Sequence, residues 1–408
     1  MILLAISGLL LLAIGNYWIG KRFLYPPVVF CAVWAADLSL VLLAGPLFYP
    51  LSNPTLAIFA WGAVAFSAGS LAALLVPPGN HEDTELSKVS NTVLTLMVFA
   101  LACSIPFAYR WIVELTADIN VATLIMAARA ALLEADQSGA RTTTVFENLV
   151  ILSIIVAVVS FVERATSRKR AFAAIVIALV LNLLSGARSG IVTVALAVIC
   201  IDGIAHRGLR WKPLLIVLAI FVCLFGVTAI MLQAGEARVN ASISENIGPV
   251  VDDLVSYAAG GIVAFDQVVR QPSIVVHNWQ ITKFFLETFN KMGGHFEVMG
   301  QHAEFVNIGP NLTQNIYTMY FAYIDLGYVG IGLIMLLLGF VLAYVHRNAV
   351  AGDRFYVVVY SCLFAGLVLS PFGEMFFMSL NTLVKVFAVS WLLFRLPGLI
   401  SRWSLAWV

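Results

Sequence analysis

Residues 171–205 read AFAAIVIALVLNLLSGARSGIVTVALAVICIDGIA. Two apolar runs, 171–185 and 189–205, are separated only by Gly186-Ala187-Arg188. They read as a tight helical hairpin with an arginine near its tip. A membrane span needs about 20 mainly apolar residues to cross the hydrocarbon core. The same reading carried outward gives eleven candidate runs: 2–20, 27–49, 55–77, 92–114, 146–163, 171–185, 189–205, 213–232, 316–345, 355–371 and 375–395.

Composition points the same way. Hydrophobic residues make up 61% of the 408 and charged residues only 11%, with a mean hydropathy of +0.97. A soluble domain carries about 25% charged residues because its surface faces water. So few charges cannot coat a chain of this size, and lipid must solvate most of its surface. A net charge of +1 gives no support for a nucleic-acid partner. The expected fold is therefore all-α: a polytopic transmembrane helical bundle of about eleven spans, one domain over residues 1–408. The five cysteines all fall inside apolar runs rather than loops, which argues against a disulfide framework or a zinc site. Met1 to Gly20 lacks a positive n-region and an A-x-A-like cleavage site, and Lys21-Arg22 follows it, so it reads as the first span.

Lysine and arginine set the orientation. If the C-terminus is cytoplasmic, short inside connections hold fourteen of the 23 basic residues, among them Lys21, Arg164, Arg207, Arg347 and Arg395. Eight fall in longer outside segments and Lys385 within a span. The bias predicts N-terminus out and C-terminus in. Two outside segments exceed plain connectors. Residues 115–145 carry Val121, Leu124, Ala128, Leu132 and Ala135 at helical spacing. Residues 233–315, the largest, carry Ile247, Val251, Leu254, Ala258, Ile262, Phe265 and Val269 every three or four positions. That second stripe predicts an amphipathic helix on the bilayer surface.

Several polar residues are candidates for chemistry. Arg188, flanked by two glycines and two serines, either snorkels to water or meets phosphate, whose oxygens match a planar guanidinium fork. The small neighbours would leave room for such a ligand. Asn315-Ile316-Tyr317-Thr318 is followed by Tyr320, Tyr323, Asp325, Gly327 and Gly330, an aromatic and polar stripe on a helix. Asp325 lies inside a hydrophobic segment, where an ionisable group is costly. It is either a functional site or a structural aspartate. Gly327 and Gly330 are expected to permit close helix packing. Tyr257, Arg238, Arg270, Glu297, His302, Glu304 and Glu374 are further outside-facing polar groups. The His295-x-Glu297 and His302-x-Glu304 pairs lack the spacing of a helical metal site, and no metal or cofactor is expected. Asp83-x-Glu85 reads as a solvated loop. Asp37 and Lys385 lie within spans, either pairing or meeting a ligand.

Gly186-Ala187-Arg188-Ser189-Gly190 after an apolar run resembles the S/A-R-S-G element of bacterial oligosaccharide repeat-unit polymerases of the O-antigen polymerase (Wzy) type. So does Asn315-x-Tyr317-Thr318-x6-Asp325-x-Gly327-x2-Gly330. Arg129-x4-Glu134-x4-Gly139 is similar to that family's earlier outside-loop element, and Tyr257-x2-Gly260-Gly261-x4-Asp266 to its aromatic-glycine segment. These elements run from about residue 120 to 330 in the family's order. An arginine-x10-glycine element found in some members is missing from the large loop.

The resemblance implies an inner-membrane glycosyltransferase acting at the periplasmic face on undecaprenyl-pyrophosphate-linked oligosaccharides, polymerising repeat units into O-antigen or capsular-type polysaccharide. A chain-length regulator is the partner it implies. Arg188 and Arg129 would contact the pyrophosphate, with Arg238 or Arg270 completing the set and Tyr257, Asn315, Tyr317 and Thr318 lining the substrate. Asp325, Glu304 and His302 are the candidates for the base that an inverting transfer needs. Two other functions remain open: an O-antigen ligase using the same donor, and a non-enzymatic transporter or flippase of lipid-linked sugar.

Overall fold

The computed structural model describes residues 1–77, 89–116, 144–185, 188–208, 243–271, 280–296, 305–310, 312–315 and 318–397, with the single positions 210, 215 and 219. The described residues form twelve α-helices: α1 (Ile2–Gly20), α2 (Pro26–Leu43), α3 (Asn53–Ala72), α4 (Asn91–Thr116), α5 (Thr144–Val162), α6 (Arg168–Leu184), α7 (Arg188–Ala205), α8 (Ile243–Arg270), α9 (Lys283–Lys291), α10 (Gly327–Val350), α11 (Arg354–Val368) and α12 (Leu380–Phe394). Helix coincides with ten of the eleven apolar runs; the run 213–232 lies almost wholly outside the described residues. Among the described residues, six helical stretches are long and apolar enough to cross a bilayer: Ile2–Gly20, Pro26–Leu43, Asn53–Leu75, Asn91–Glu114, Val145–Val162 and Met319–Val350. Lipid offers no hydrogen bonds to the backbone, so a helix, which satisfies its own amides, is the form such sequences take.

The chain divides into two compact units. The first comprises Met1–Pro78, Phe225–His346 and Gly366–Asn381. Here α1 packs on α2 and α3 through one face, Ile6, Leu9, Ala13 and Asn16, while Leu3, Leu4 and Leu11 stay exposed. Asn16 satisfies its amide at Leu12 O (2.8 Å) and Ser67 Oγ (3.0 Å). Proline at the first helical positions starts both α2 and α3, where its missing N–H costs nothing.

Helix α3 meets α10 through interlocking glycines. A Cβ on Gly69 would stand 1.9 Å from Leu336 O, and one on Gly339 would stand 2.0 Å from Phe66 O. Gly62 admits the Tyr320 hydroxyl and Gly332 the Trp61 ring in the same way. Gly327 and Gly330, expected to be the packing glycines, do other work. Gly327 has φ +63° with open space around it, and Gly330 accommodates Leu326 one turn earlier in its own chain.

Helix α8 corrects a second expectation. Its stripe does not lie on the bilayer surface: Ala259, Ile262, Val263, Ala264 and Phe265 are fully buried against α2, α3 and a two-stranded hairpin. The expected stripe holds only in part, since Val251 at its start is half exposed. Gly260 lets the hairpin approach, a Cβ there falling 2.9 Å from Ile308 Cδ1. The hairpin pairs β1 (Phe305–Asn307) antiparallel to β2 (Thr313–Asn315), with Val306 opposite Gln314. It docks on the α2–α3 connection through Tyr49 N–H to Ile308 O (2.8 Å).

The second unit comprises Gly79–Leu224, Arg347–Ala365 and Thr382–Val408. Helices α4 to α7 pack around Leu101, Ile112, Phe146, Val156, Ala178, Leu181 and Val194. The α6–α7 pair is the hairpin read from residues 171–205. Gly190 is what makes it tight, because a Cβ there would fall 1.6 Å from Asn182 Oδ1 on the facing helix. The room this glycine creates is filled by Asn182.

Candidate functional site

The first unit gathers polar groups where α2, α8, the hairpin, the segment Met319–Leu326 and the turn Ser370–Phe372 meet. Met319–Leu326 is helical, as the tyrosine spacing predicts, and the helix is of the 3-10 type. In a 3-10 helix residues three apart eclipse one another, so Tyr320 and Tyr323 fall on one line, both fully buried. Gly327, in the left-handed region that glycine alone enters freely, ends this segment and starts α10.

The Tyr320 ring packs against Trp34 (centroids 4.9 Å), Phe59 (5.2 Å) and Phe265 (6.5 Å). Trp34 donates its indole N–H to Ser370 Oγ at 3.0 Å. One residue line further, Tyr323 donates to Glu374 Oε1 at 2.8 Å. The Glu374 carboxylate also accepts the backbone N–H of Phe376 (2.9 Å) and Met378 (2.6 Å). Burial pushes this carboxyl above its ordinary value, and those hydrogen bonds oppose the shift. Tyr257 on α8 stacks on Phe372 (5.7 Å) and remains 37% exposed.

Among the described residues, three buried atoms here have no hydrogen-bond partner: Thr318 Oγ1, Tyr320 Oη and Asp37 Oδ2, the last one turn beyond Trp34 on α2. An unsatisfied buried polar atom costs roughly 1–3 kcal/mol, so such groups call for a role. Hydroxyls, a carboxylate and an aromatic face are the kinds of group that hydrogen-bond and stack on a polar ligand.

Asp266, inside the segment Tyr257–Asp266, has a different task. Its Oδ1 accepts from Ser52 N (2.9 Å), Ser52 Oγ (2.5 Å) and Thr55 Oγ1 (2.6 Å), and its Oδ2 from Arg270 Nε (2.6 Å). Arg270 also reaches Pro50 O. The carboxylate thus caps the N-terminus of α3 from another helix, where the helix dipole favours negative charge.

Of the residues expected to form the site, Tyr257 and Thr318 are brought to this junction. Arg270 is held by Asp266 and Pro50, and Asp325 is half-buried in the last turn of the 3-10 segment. Asn315 ends β2. Arg188 is the first residue of α7, in the second unit. Arg129, Arg238, His302, Glu304, Tyr317, and the pair Asp83 and Glu85, lie outside the described residues, as does the helical spacing read at 121–135. Glu374 and Ser370 have a central place that the spacing of candidate motifs did not suggest. The signal was Ser370-Pro371-Phe372-Gly373-Glu374, a proline–glycine break with a carboxylate between two apolar runs.

Fold and composition define the class: this is a predominantly helical membrane protein. Compared with known proteins, the chain matches no family model, no characterised protein and no solved structure.

Proposed function

We propose that the chain is a membrane-embedded glycosyltransferase that polymerises undecaprenyl-pyrophosphate-linked oligosaccharide units at the outer face of a bacterial inner membrane. In this reading it has about eleven spans, and residues 233–315 lie outside. One observation carries it. Two family-like elements far apart in sequence, Tyr257–Asp266 and Asn315–Gly327, pack together in one unit: the rings of Phe265 and Tyr320 lie 6.5 Å apart, and immediately before the two elements Gln314 Nε2 donates to Ser256 O at 3.2 Å.

The chemistry follows from the compartment. Nucleotide sugars are not available outside, so the activated bond arrives with the lipid. As that glycosidic bond breaks, negative charge grows on the pyrophosphate. Guanidinium groups in a partly dehydrated cleft stabilise this charge most in the transition state. Arg188 and Arg129 are assigned that task, with Arg238 as a further contact. Arg270 contributes less, because Asp266 already neutralises it. One base, among Asp325, Glu304 and His302, takes the proton of the acceptor hydroxyl, giving inversion without a covalent intermediate. Tyr257 and Thr318 are assigned to sugar contact.

The test is deletion of the gene followed by gel analysis of surface polysaccharide. Loss of polymerase leaves single repeats on the core, and a retained ladder of long chains would falsify the proposal. A transporter of lipid-linked sugar is favoured by one observation, the buried carboxylate of Asp37 inside a span. Deleting a transporter would leave no repeats at the surface at all, which separates the two on the same gel.

A further inference from the structure

Helix α9 is amphipathic, and it is mounted the wrong way round for water. Phe285, Phe289 and Met292 follow at i, i+4 and i+7, so they share one face, and they are 50%, 51% and 70% exposed. Lys283 lies off that face and is buried, 3.7 Å from Glu287 one turn on. A water-facing helix would do the reverse and turn the phenylalanines inward. The face is also extended past the helix end by design. Asn290 clamps Phe296 through two hydrogen bonds, Nδ2 to Phe296 O (2.8 Å) and Phe296 N–H to Oδ1 (2.7 Å), setting its half-exposed ring edge-on to Phe289.

The helix also has a definite depth. The turn Gln280–Thr282, immediately before α9, packs against Met319–Leu326, the first residues of the span Met319–Val350. The junction puts the start of α9 beside the first residues of that span, at one of its two ends. Nine residues reach only about 14 Å, far too short to cross. We infer that α9 lies in the plane of the bilayer at its headgroup–acyl boundary, with Phe285, Phe289, Met292 and Phe296 seated among lipid chains. On this inference the surface-lying helix expected at 247–269 stands instead at Lys283–Lys291, on a segment whose exposed face is apolar. The inference is independent of the proposed glycosyl transfer.

The test uses the unmodified full chain in vesicles of phosphatidylethanolamine and phosphatidylglycerol. A diazirine carbene precursor that partitions into the hydrocarbon is photolysed, and adducts are mapped by peptide mass spectrometry. Adduct yields at Phe285, Phe289 and Met292 should match those at the exposed α4 residues Phe99 and Phe107, and stand several-fold above those at Glu287. Oxidation of the phenylalanine face by water-borne hydroxyl radicals, with no carbene adducts, overturns the inference. Protection from both reagents overturns it equally, since a protein surface, from this chain or another, would then be the cover.

Discussion

Asp266 shows how a fold meets the cost of a charge with no exposed surface. Three donors from Ser52 and Thr55 and one from Arg270 replace the water it gave up. Removing the carboxylate takes the acceptor from the Ser52 and Thr55 donors together, at about 1–3 kcal/mol for each group left buried and unpaired, whereas removing Arg270 leaves the carboxylate those three donors. Asp266→Ala should therefore lower thermal stability in detergent far more than Arg270→Met, whose side chain is already 41% exposed to solvent screening. Equal losses would mean that the pair, and not the α3 cap, carries the stabilisation. Glu374 gives the second residue-scale prediction. Its folded pKa is raised above the ordinary 4.5 because burial outweighs the hydrogen bonds it accepts. Across that window the folded state holds a proton that the unfolded state has lost. Stability is then full below the ordinary value and falls as pH rises through the raised one. Melting midpoints taken from about pH 4 to pH 8 should decline for the native chain, and Glu374→Gln should flatten the decline. An unchanged slope would show that Glu374 titrates normally.

Between α3 and α10 the packing rests on missing side chains. Gly69→Ala and Gly339→Ala each place a methyl at backbone carbonyl distance, so the helices must part, at a cost of about 1–3 kcal/mol each. Gly8→Ala and Gly15→Ala on α1 meet nothing within 4 Å and should instead stabilise the helix by about 0.5–1 kcal/mol. Thermal unfolding of the four variants would check the contrast, and a uniform response would remove the interlock from the account. The pairs Gly62/Gly69 and Gly332/Gly339 were present in the sequence at matching spacing, yet periodicity does not say which glycines face a neighbour. Gly327 and Gly330 stood out for their place in a motif, and backbone geometry, not helix contact, explains them. The same limit hid the helix type at 319–326, since a three-residue tyrosine step fits an α-helix and a 3-10 helix alike. It also hid the fate of α8: an apolar stripe reports that something covers it, and here the cover is α2, α3 and the hairpin. That hairpin left no trace, because strands of three residues are too short for alternation to register. Hydropathy located helices well for the opposite reason, since every residue of a long apolar run contributes to one signal.

At the scale of the molecule the remaining question is which way the helices run, and the second unit constrains it. Arg354 at the start of α11 pairs with Glu163 at the end of α5 (2.6 Å), and Arg395 after α12 pairs with Asp353 before α11. Arg164 approaches Asp202, near the end of α7, at 3.6 Å, and Arg170 near the start of α6 bonds Asn91 at the start of α4. These contacts gather the ends of α5, α7 and α12 and the starts of α4, α6 and α11 at one side of the second unit, as successive antiparallel crossings require. All of these arginines belong to the connections that the charge bias places inside. Helix α7, eighteen residues or about 27 Å long, then carries its first residue, Arg188, to the opposite end. The whole proposal can therefore be read from two positions on one helix. In a background with the native cysteines replaced, His206→Cys should resist a membrane-impermeant maleimide in intact spheroplasts and react in inverted vesicles. Arg188→Cys should do the reverse. Were position 188 to react only from the cytosolic side, no lipid-linked donor presented outside could reach it, and glycosyl transfer at the outer face would lose its pyrophosphate contact.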